Sequence, residues 1–127
     1  MREACAAIRR DRGGCAVGEA VITGGGALPA PYVIHTVGPV WRGGGHHEAA
    51  LLRRAYDSSL RLGAAHRFAR LAFPNISTGV YGFPKPDAAR IAIDAVRGFL
   101  AHHAWPQQVI FVCFDEENAR LYQTTLA

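Results

Sequence analysis

The stretch that most constrains the fold is FPNISTGVYGFPKPDAARIAIDAV, residues 73–96. It leaves an apolar run, crosses a loop that contains two glycines and enters an amphipathic helix. We predict a strand over Arg70–Phe73 that ends before Pro74, and a helix over Asp87–Leu100. The helix has one apolar stripe, formed by Ala88, Ile91, Ala92, Ala95, Val96 and Phe99. A strand, a loop and a helix in this order are the parts from which proteins build anion sites.

The remaining elements extend this pattern into an α/β domain. They are a helix over residues 2–12, strands Glu19–Thr23 and Tyr32–Val37, a helix Glu48–Leu62, a strand Val109–Phe114 and a helix from about Glu116 to Thr124. The last strand is a continuous apolar run, which is typical of a strand buried on both faces. Strands that alternate with helices in the second half favour parallel pairing. We expect residues 1–127 to form a single domain.

Composition narrows the class of protein. Half of the residues are hydrophobic and 19% are charged, which is typical of a globular domain. No apolar run is long enough to span a bilayer, and Met1 is followed by charge, so neither a membrane protein nor a secretory signal is indicated. Cys5, Cys15 and Cys113 are odd in number and widely spaced, which favours a reduced, cytoplasmic setting. The net charge of +4 favours anionic partners, although no basic run exceeds two residues.

The loop after Phe73 has the composition of a phosphate site that needs no lysine. Open α/β sheets bind ligands at the carboxyl edge, where we expect this strand to end. Gly79 and Gly82 permit backbone conformations that side chains forbid, so consecutive N–H groups can converge on one anion. The residues concerned are Ser77, Thr78, Gly79, Val80, Tyr81 and Gly82. From spacing alone, an ordinary turn between a strand and a helix is an equally good interpretation.

The histidines, which could bind a metal or act as a base, do not predict a second site. The members of the pairs His46-His47 and His102-His103 would point about a quarter-turn apart on a helix, so one metal cannot easily bind both. Neither a metal nor a cofactor is therefore predicted. His35 lies inside an apolar strand, and we expect it to be a hydrogen-bonded core residue rather than a base.

Four stretches together resemble the macrodomain family, namely CAVGEAVIT, YVIHTVGPVW, AFPNISTGVYGFP and VCFDEENARLY. They follow that family's order and spacing over nearly the whole chain. The resemblance is strongest to the MacroD-type branch, the O-acetyl-ADP-ribose deacetylases and mono-ADP-ribosyl hydrolases. It implies a three-layer α/β/α fold with a mixed β-sheet and a cleft for ADP-ribose. It also implies that the partner is ADP-ribose or an ADP-ribosylated protein.

The resemblance assigns residues of this chain to the ADP-ribose cleft. Ser77, Thr78, Gly79, Val80 and Tyr81 would donate backbone N–H groups to the diphosphate, and Gly82 belongs to the same loop. The ring of Tyr81 would also lie on the distal ribose. At the end of the last strand, Phe114 would pack against the adenine, with Asp115 and Asn118 nearby. No residue of this chain is assigned a catalytic role.

Members of the family have a front section with no counterpart in these 127 residues. It contains a strand whose aspartate reads the adenine, a NAAN-type strand, and a glycine-rich loop with the asparagine and aspartate used in catalysis. The resemblance therefore implies an N-terminally truncated macrodomain, and we expect self-association through exposed sheet edges. Three functions stay open: hydrolysis of O-acetyl-ADP-ribose or mono-ADP-ribosyl protein, ADP-ribose binding without catalysis, and, with less support, electrostatic binding of nucleic acid.

Overall fold

The computed structural model describes residues 16–26 and 31–126. The described chain forms β1 (Ala20–Gly24), β2 (Tyr32–Thr36), α1 (Glu48–Ala65), β3 (Arg70–Phe73), α2 (Lys85–Leu100), β4 (Gln108–Phe111) and α3 (Glu116–Leu126). This order confirms the seven elements predicted after residue 18. The helix predicted over residues 2–12 lies outside the described residues.

The described strands form two pairs. β1 and β2 are antiparallel, with Ala20 opposite Thr36. β3 and β4 are parallel, with Arg70 opposite Gln108. A parallel pair needs a crossover connection, and α2 provides it. The mixed pairing predicted for the sheet is therefore present.

The three helices share one core with β3 and β4. The ring centroids of Tyr56 in α1 and Phe73 in β3 are 5.0 Å apart, and those of Tyr122 in α3 and Phe111 in β4 are 4.9 Å apart. Five of the six residues in the predicted stripe of α2 are buried, and Ile91 is half-buried. The core consists of Leu52, Tyr56, Leu60, Phe73, Phe83, Ala88, Ala89, Ala92, Ile93, Ala95, Val96, Phe99 and Tyr122.

β4 differs from its prediction in both length and burial. The predicted strand Val109–Phe114 was expected to be buried on both faces, but β4 ends at Phe111 and Ile110 is 42% exposed. Pairing continues for one bond beyond the strand, in which the Val112 N–H donates to the carbonyl of Phe73 at 2.8 Å. The alternation of half-buried and exposed residues shows that the described helices cover only one face of β4.

α1 contacts both pairs of strands. Near β1, the Ser58 hydroxyl donates to the carbonyl of Gly18 at 2.8 Å. Near β3, Gly63 packs against Leu71 so closely that a Cβ at residue 63 would lie 2.6 Å from the Leu71 Cδ1. The glycine therefore lets the helix approach the strand, and α1 holds the two pairs together.

Candidate functional site

The loop between β3 and α2, residues 74–84, contains a run of backbone donors that have no acceptor among the described residues. Its internal hydrogen bonds are few: the Phe83 N–H donates to the carbonyl of Ser77 at 2.8 Å, and the Gly82 N–H donates to the carbonyl of Gly79 at 3.0 Å. In the described part of the chain, no acceptor pairs with the N–H groups of five consecutive residues, Ser77, Thr78, Gly79, Val80 and Tyr81. Adjacent backbone N–H groups of this kind can converge on one anion.

Left-handed backbone conformations shape this loop at two positions. The φ angle is 66° at Ser77 and 71° at Gly82. Gly79 was predicted to permit a backbone conformation that side chains forbid. Its φ lies outside the left-handed region, so it does not adopt such a conformation. A Cβ at Gly79 would have no neighbour within 4 Å, so this glycine leaves open space beside the donors.

The loop is exposed at its tip and supported from behind. Val80 is fully exposed and Tyr81 is 42% exposed. The Ser77 hydroxyl oxygen is buried and packs against Gly38, where an added Cβ would overlap it. The Trp41 N–H donates to the carbonyl of Tyr81 at 2.8 Å. The segment after β2 therefore positions the loop, while the tip remains accessible to a ligand.

Asn75 connects this loop to the segment after β4. Its side chain is 8% exposed, and its Oδ1 accepts a hydrogen bond from the Phe114 N–H at 3.0 Å. Its Nδ2 donates to the Cys113 sulfur at 3.7 Å, and the Thr78 hydroxyl donates to the Asn75 carbonyl at 3.3 Å. Asn75 is not among the residues predicted from the sequence. A polar side chain two residues after the end of a strand, between Pro74 and Ile76, is the signal that marks it.

Phe114, Asp115 and Asn118 lie close together but have different environments. Phe114 is 76% exposed and offers an aromatic surface. Asp115 Oδ1 accepts a hydrogen bond from the Asn118 N–H at 2.8 Å, and its Oδ2 lies 3.2 Å from the Lys85 ammonium. These two bonds lower the pKa of Asp115. Asn118 is 2% exposed, so it lies behind Asp115 rather than at the surface.

Glu48 organises the loop that leads from β2 into α1. It is 1% exposed, and its carboxylate accepts hydrogen bonds from the backbone N–H groups of Arg42 at 2.9 Å, Gly44 at 2.8 Å and His46 at 2.6 Å. Burial alone would raise the pKa of Glu48, but these bonds outweigh burial and lower the pKa to about 2. A carboxylate held this firmly in its ionised form is a poor general base at neutral pH.

Described residues line two cavities near the loop. The smaller, about 210 Å³, lies between Tyr81 and the segment after β2, with Arg42 and His46 in its lining. The larger, about 930 Å³, lies between β2 and β3 and extends towards the loop only at Pro74 and Ile76. Strand edges rather than loop donors line the larger cavity.

The described residues contain no group of three or more His, Cys, Asp or Glu side chains placed to hold a metal ion. His35 is hydrogen-bonded, as predicted, with its Nε2 2.7 Å from the Thr23 hydroxyl, and burial lowers its pKa. The prediction that it is a core residue is wrong, because His35 is half-buried and lies outside the core cluster. Among the helices described above, none combines the length and the apolar character needed to cross a membrane.

The sequence pattern of a known family covers most of this chain. The family model described as Macro domain matches residues 1–92. The chain belongs to the Macro domain family. A Macro domain-containing protein from Cupriavidus necator is 61% identical over 127 residues, which are all of this chain and 73% of that protein. The O-acetyl-ADP-ribose deacetylase of Escherichia coli strain K12 is 56% identical over 126 residues, 99% of this chain and 71% of the relative.

Solved macrodomains have the same fold. A mutant of the Oceanobacillus iheyensis macrodomain, solved with ADPR, has a TM-score of 0.92 and 36% identity, and the match covers 98% of this chain and 68% of that one. The Trypanosoma brucei macrodomain in complex with ADP-ribose has a TM-score of 0.81 and 39% identity, over 90% of this chain and 47% of that one. The predicted α/β macrodomain fold is confirmed.

Proposed function

We propose that this macrodomain binds ADP-ribose or a derivative, with the diphosphate at the tip of the loop formed by residues 77–82. The observation that carries this proposal is the run of five consecutive N–H groups that have no acceptor in the described part of the chain. A diphosphate has several oxygens that accept such bonds, and bonds to a charged acceptor are stronger than neutral ones. The ligands named for the Oceanobacillus and Trypanosoma structures support the same chemistry.

The two ends of the ligand are proposed to contact aromatic side chains. Phe114 is exposed, and Asn75 holds its backbone in place, so its ring is a platform for adenine. Stacking of a base on an aromatic ring contributes roughly 1–3 kcal/mol. Tyr81 is proposed to contact the distal ribose. Asp115 and Asn118 support the Phe114 segment from the start of α3.

The reaction that fits this ligand is hydrolysis of O-acetyl-ADP-ribose, the substrate in the name of the Escherichia coli relative. Mono-ADP-ribosyl protein is the second proposed substrate, and the cytoplasm is the expected location. Near the loop, Glu48 and Asp115 are acidic, but both carboxylates already accept several hydrogen bonds. The described residues therefore contribute binding and orientation. This arrangement also favours the second candidate function, ADP-ribose binding without catalysis.

A pair of substitutions at Val80 tests the proposed site. Because the side chain is fully exposed, neither aspartate nor asparagine should affect folding. A carboxylate at this position repels a bound diphosphate, and a repulsion of about 1.4 kcal/mol weakens binding tenfold. We expect calorimetry with ADP-ribose to show at least about a tenfold loss for Val80→Asp and little change for Val80→Asn.

The results distinguish a failure of the proposed function from a failure of the proposed site. If the unmodified protein releases no heat with saturating ADP-ribose, the proposed function is wrong. If binding is intact and equal in Val80→Asp and Val80→Asn, the diphosphate lies elsewhere. Binding of nucleic acid that weakens steeply with added salt, without binding of ADP-ribose, would support the electrostatic alternative.

A further inference from the structure

Trp41 supports the exposed end of the loop at residues 77–82. Its N–H donates to the carbonyl of Tyr81 at 2.8 Å, and its ring packs on that of Phe83 with the centroids 4.8 Å apart. Phe83 is 2% exposed and belongs to the core, whereas Tyr81 is 42% exposed. Trp41 therefore connects the exposed Tyr81 to the buried part of the domain.

A turn bound to Glu48 holds the Trp41 ring in place. The buried Glu48 carboxylate accepts three backbone N–H groups from residues 42–46, one of them from Gly44 at 2.8 Å. Hydrogen bonds to a charged acceptor are stronger than neutral ones, so three of them fix the turn. Gly44, with a φ of 93°, lies against the ring, since an added Cβ would be 3.0 Å from the Trp41 Cη2. Glu48 therefore acts on Tyr81 through the turn and through Trp41.

The same turn forms a wall of the cavity of about 210 Å³ beside Tyr81. Arg42 and His46 line this cavity on the side of the turn, and Tyr81 lines it on the side of the loop. Both Arg42 and His46 donate their backbone N–H groups to Glu48, at 2.9 and 2.6 Å. Because the turn and Tyr81 are also joined through Trp41, these contacts set the distance between the two sides of the cavity.

The support at Trp41 is separate from the support at Asn75. Asn75 holds the Phe114 N–H, next to the aromatic surface that is proposed to bind adenine. Trp41 holds the carbonyl of Tyr81, which is proposed to contact the distal ribose. Among the described residues, no hydrogen bond or ring contact joins Trp41 directly to Asn75 or Phe114. A change at Trp41 should therefore affect the ribose end of the ligand and leave the adenine end unchanged.

We propose that Trp41 is a positioning residue for the distal ribose, and that the Glu48-bound turn sets its place. In this arrangement Trp41 fixes Tyr81 beside the cavity and determines how tightly the ribose end of the ligand binds. Trp41 does not itself line the cavity, so it acts through Tyr81. This inference rests on the proposed function, because it takes the ligand to be ADP-ribose or a derivative.

Two glycines of the turn provide a matched pair of variants. Gly43 and Gly44 have φ angles of 89° and 93°, so alanine strains the backbone equally at both. A Cβ at Gly44 would press on the Trp41 ring, whereas one at Gly43 has no described atom within 4 Å. We expect ribose 5-phosphate and ADP-ribose to bind Gly44→Ala about three- to tenfold more weakly than Gly43→Ala in calorimetry, the loss expected from one weakened hydrogen bond. AMP, which lacks the distal ribose, should bind both variants equally.

Hydrogen exchange at the Trp41 amide tests the connection without a ligand. This N–H is bonded to the carbonyl of Tyr81, so its exchange should be faster in Gly44→Ala than in Gly43→Ala. Equal exchange rates in the two variants would overturn the proposal.

Trp41→Phe is a second variant, and it decides if Gly44→Ala does not fold. It keeps the backbone N–H but removes the ring atoms next to Gly44, so it should weaken the binding of ribose 5-phosphate more than that of AMP. If the unmodified protein releases no heat with saturating ADP-ribose, both the proposed function and this inference are wrong. If the unmodified protein binds ADP-ribose but Gly44→Ala and Gly43→Ala bind ribose 5-phosphate equally, only the role of Trp41 is refuted. Equal losses for AMP and ribose 5-phosphate would also refute that role, because they indicate general damage to the loop.

Discussion

Replacement of Asn75 by alanine should break the connection between the two parts of the proposed ADP-ribose site, the loop at residues 77–82 and the segment that contains Phe114. Asn75 is 8% exposed, and its Oδ1 is the acceptor for the Phe114 N–H. Without it, that donor is left unpaired in a partly buried position, which costs roughly 1–3 kcal/mol. The 3.7 Å contact with the Cys113 sulfur adds little. For a domain of this size, we expect the Tm to fall by roughly 4–12 °C.

The effect on binding should depend on which part of the ligand is present. If the Phe114 ring loses its fixed position, ADP-ribose and AMP, which contain adenine, should bind Asn75→Ala about tenfold more weakly. Ribose 5-phosphate, which has no adenine, should bind as it does to the unmodified protein. Asn75→Asp is the matched control because it keeps an oxygen for the Phe114 N–H, and it should bind adenine ligands more tightly than Asn75→Ala does.

Calorimetry below the Tm of each variant, with all three ligands, measures this difference. Equal losses for ADP-ribose and ribose 5-phosphate would indicate general damage to the loop and would refute the link between Asn75 and adenine binding. An unchanged Tm for Asn75→Ala would show that the hydrogen bond to Phe114 contributes no stability.

Two further substitutions test the segment after β2. The pKa of Glu48 is lowered from 4.5 to about 2 in the folded protein, so its contribution to stability is complete above pH 4.5 and is lost as the pH falls towards 2. Scanning calorimetry should show the largest Tm difference between the unmodified protein and Glu48→Gln above pH 4.5 and a narrowing difference towards pH 2; a constant difference would contradict this role. Gly38→Ala places a Cβ 2.5 Å from the Ile76 Cγ2 and should cost roughly 1–3 kcal/mol in urea unfolding. Gly24→Ala, with no neighbour within 4 Å, is its control, and equal unfolding midpoints for the two variants would contradict the expected overlap.

The sequence predicts the positions of the helices better than their ends. Apolar spacing defines the buried face of α2, but the helix begins at Lys85, two residues before the predicted start at Asp87. Pro86 caused this error, since proline normally signals a break. In the first turn of a helix, however, its missing N–H has no helical partner to lose. A proline in the first turn is therefore compatible with an earlier helix start, and it does not change the apolar spacing from which the helix was predicted.

The loop at residues 77–82 was predictable because a strand, a loop and a helix follow one another in the sequence. The connection between Asn75 and Phe114 was not, because 39 residues separate the two and only the parallel pairing of β3 with β4 brings them together. Glu48 is different, since its partners lie within six residues of it. They belong to an irregular segment whose path no hydrophobic pattern indicates.

The attachment of β1–β2 through α1 has a consequence for how the domain opens. The buried core joins α1, α2 and α3 to β3, and no residue of β1 or β2 belongs to that cluster in the described chain. Contacts such as the hydrogen bond from Ser58 to Gly18 and the stack of Tyr32 on Phe68 hold β1–β2 in place. Regions with few buried contacts open at a lower free energy than the core does. We therefore expect β1–β2 to detach in a sub-global fluctuation, while the loop at residues 77–82 stays anchored between β3 and α2.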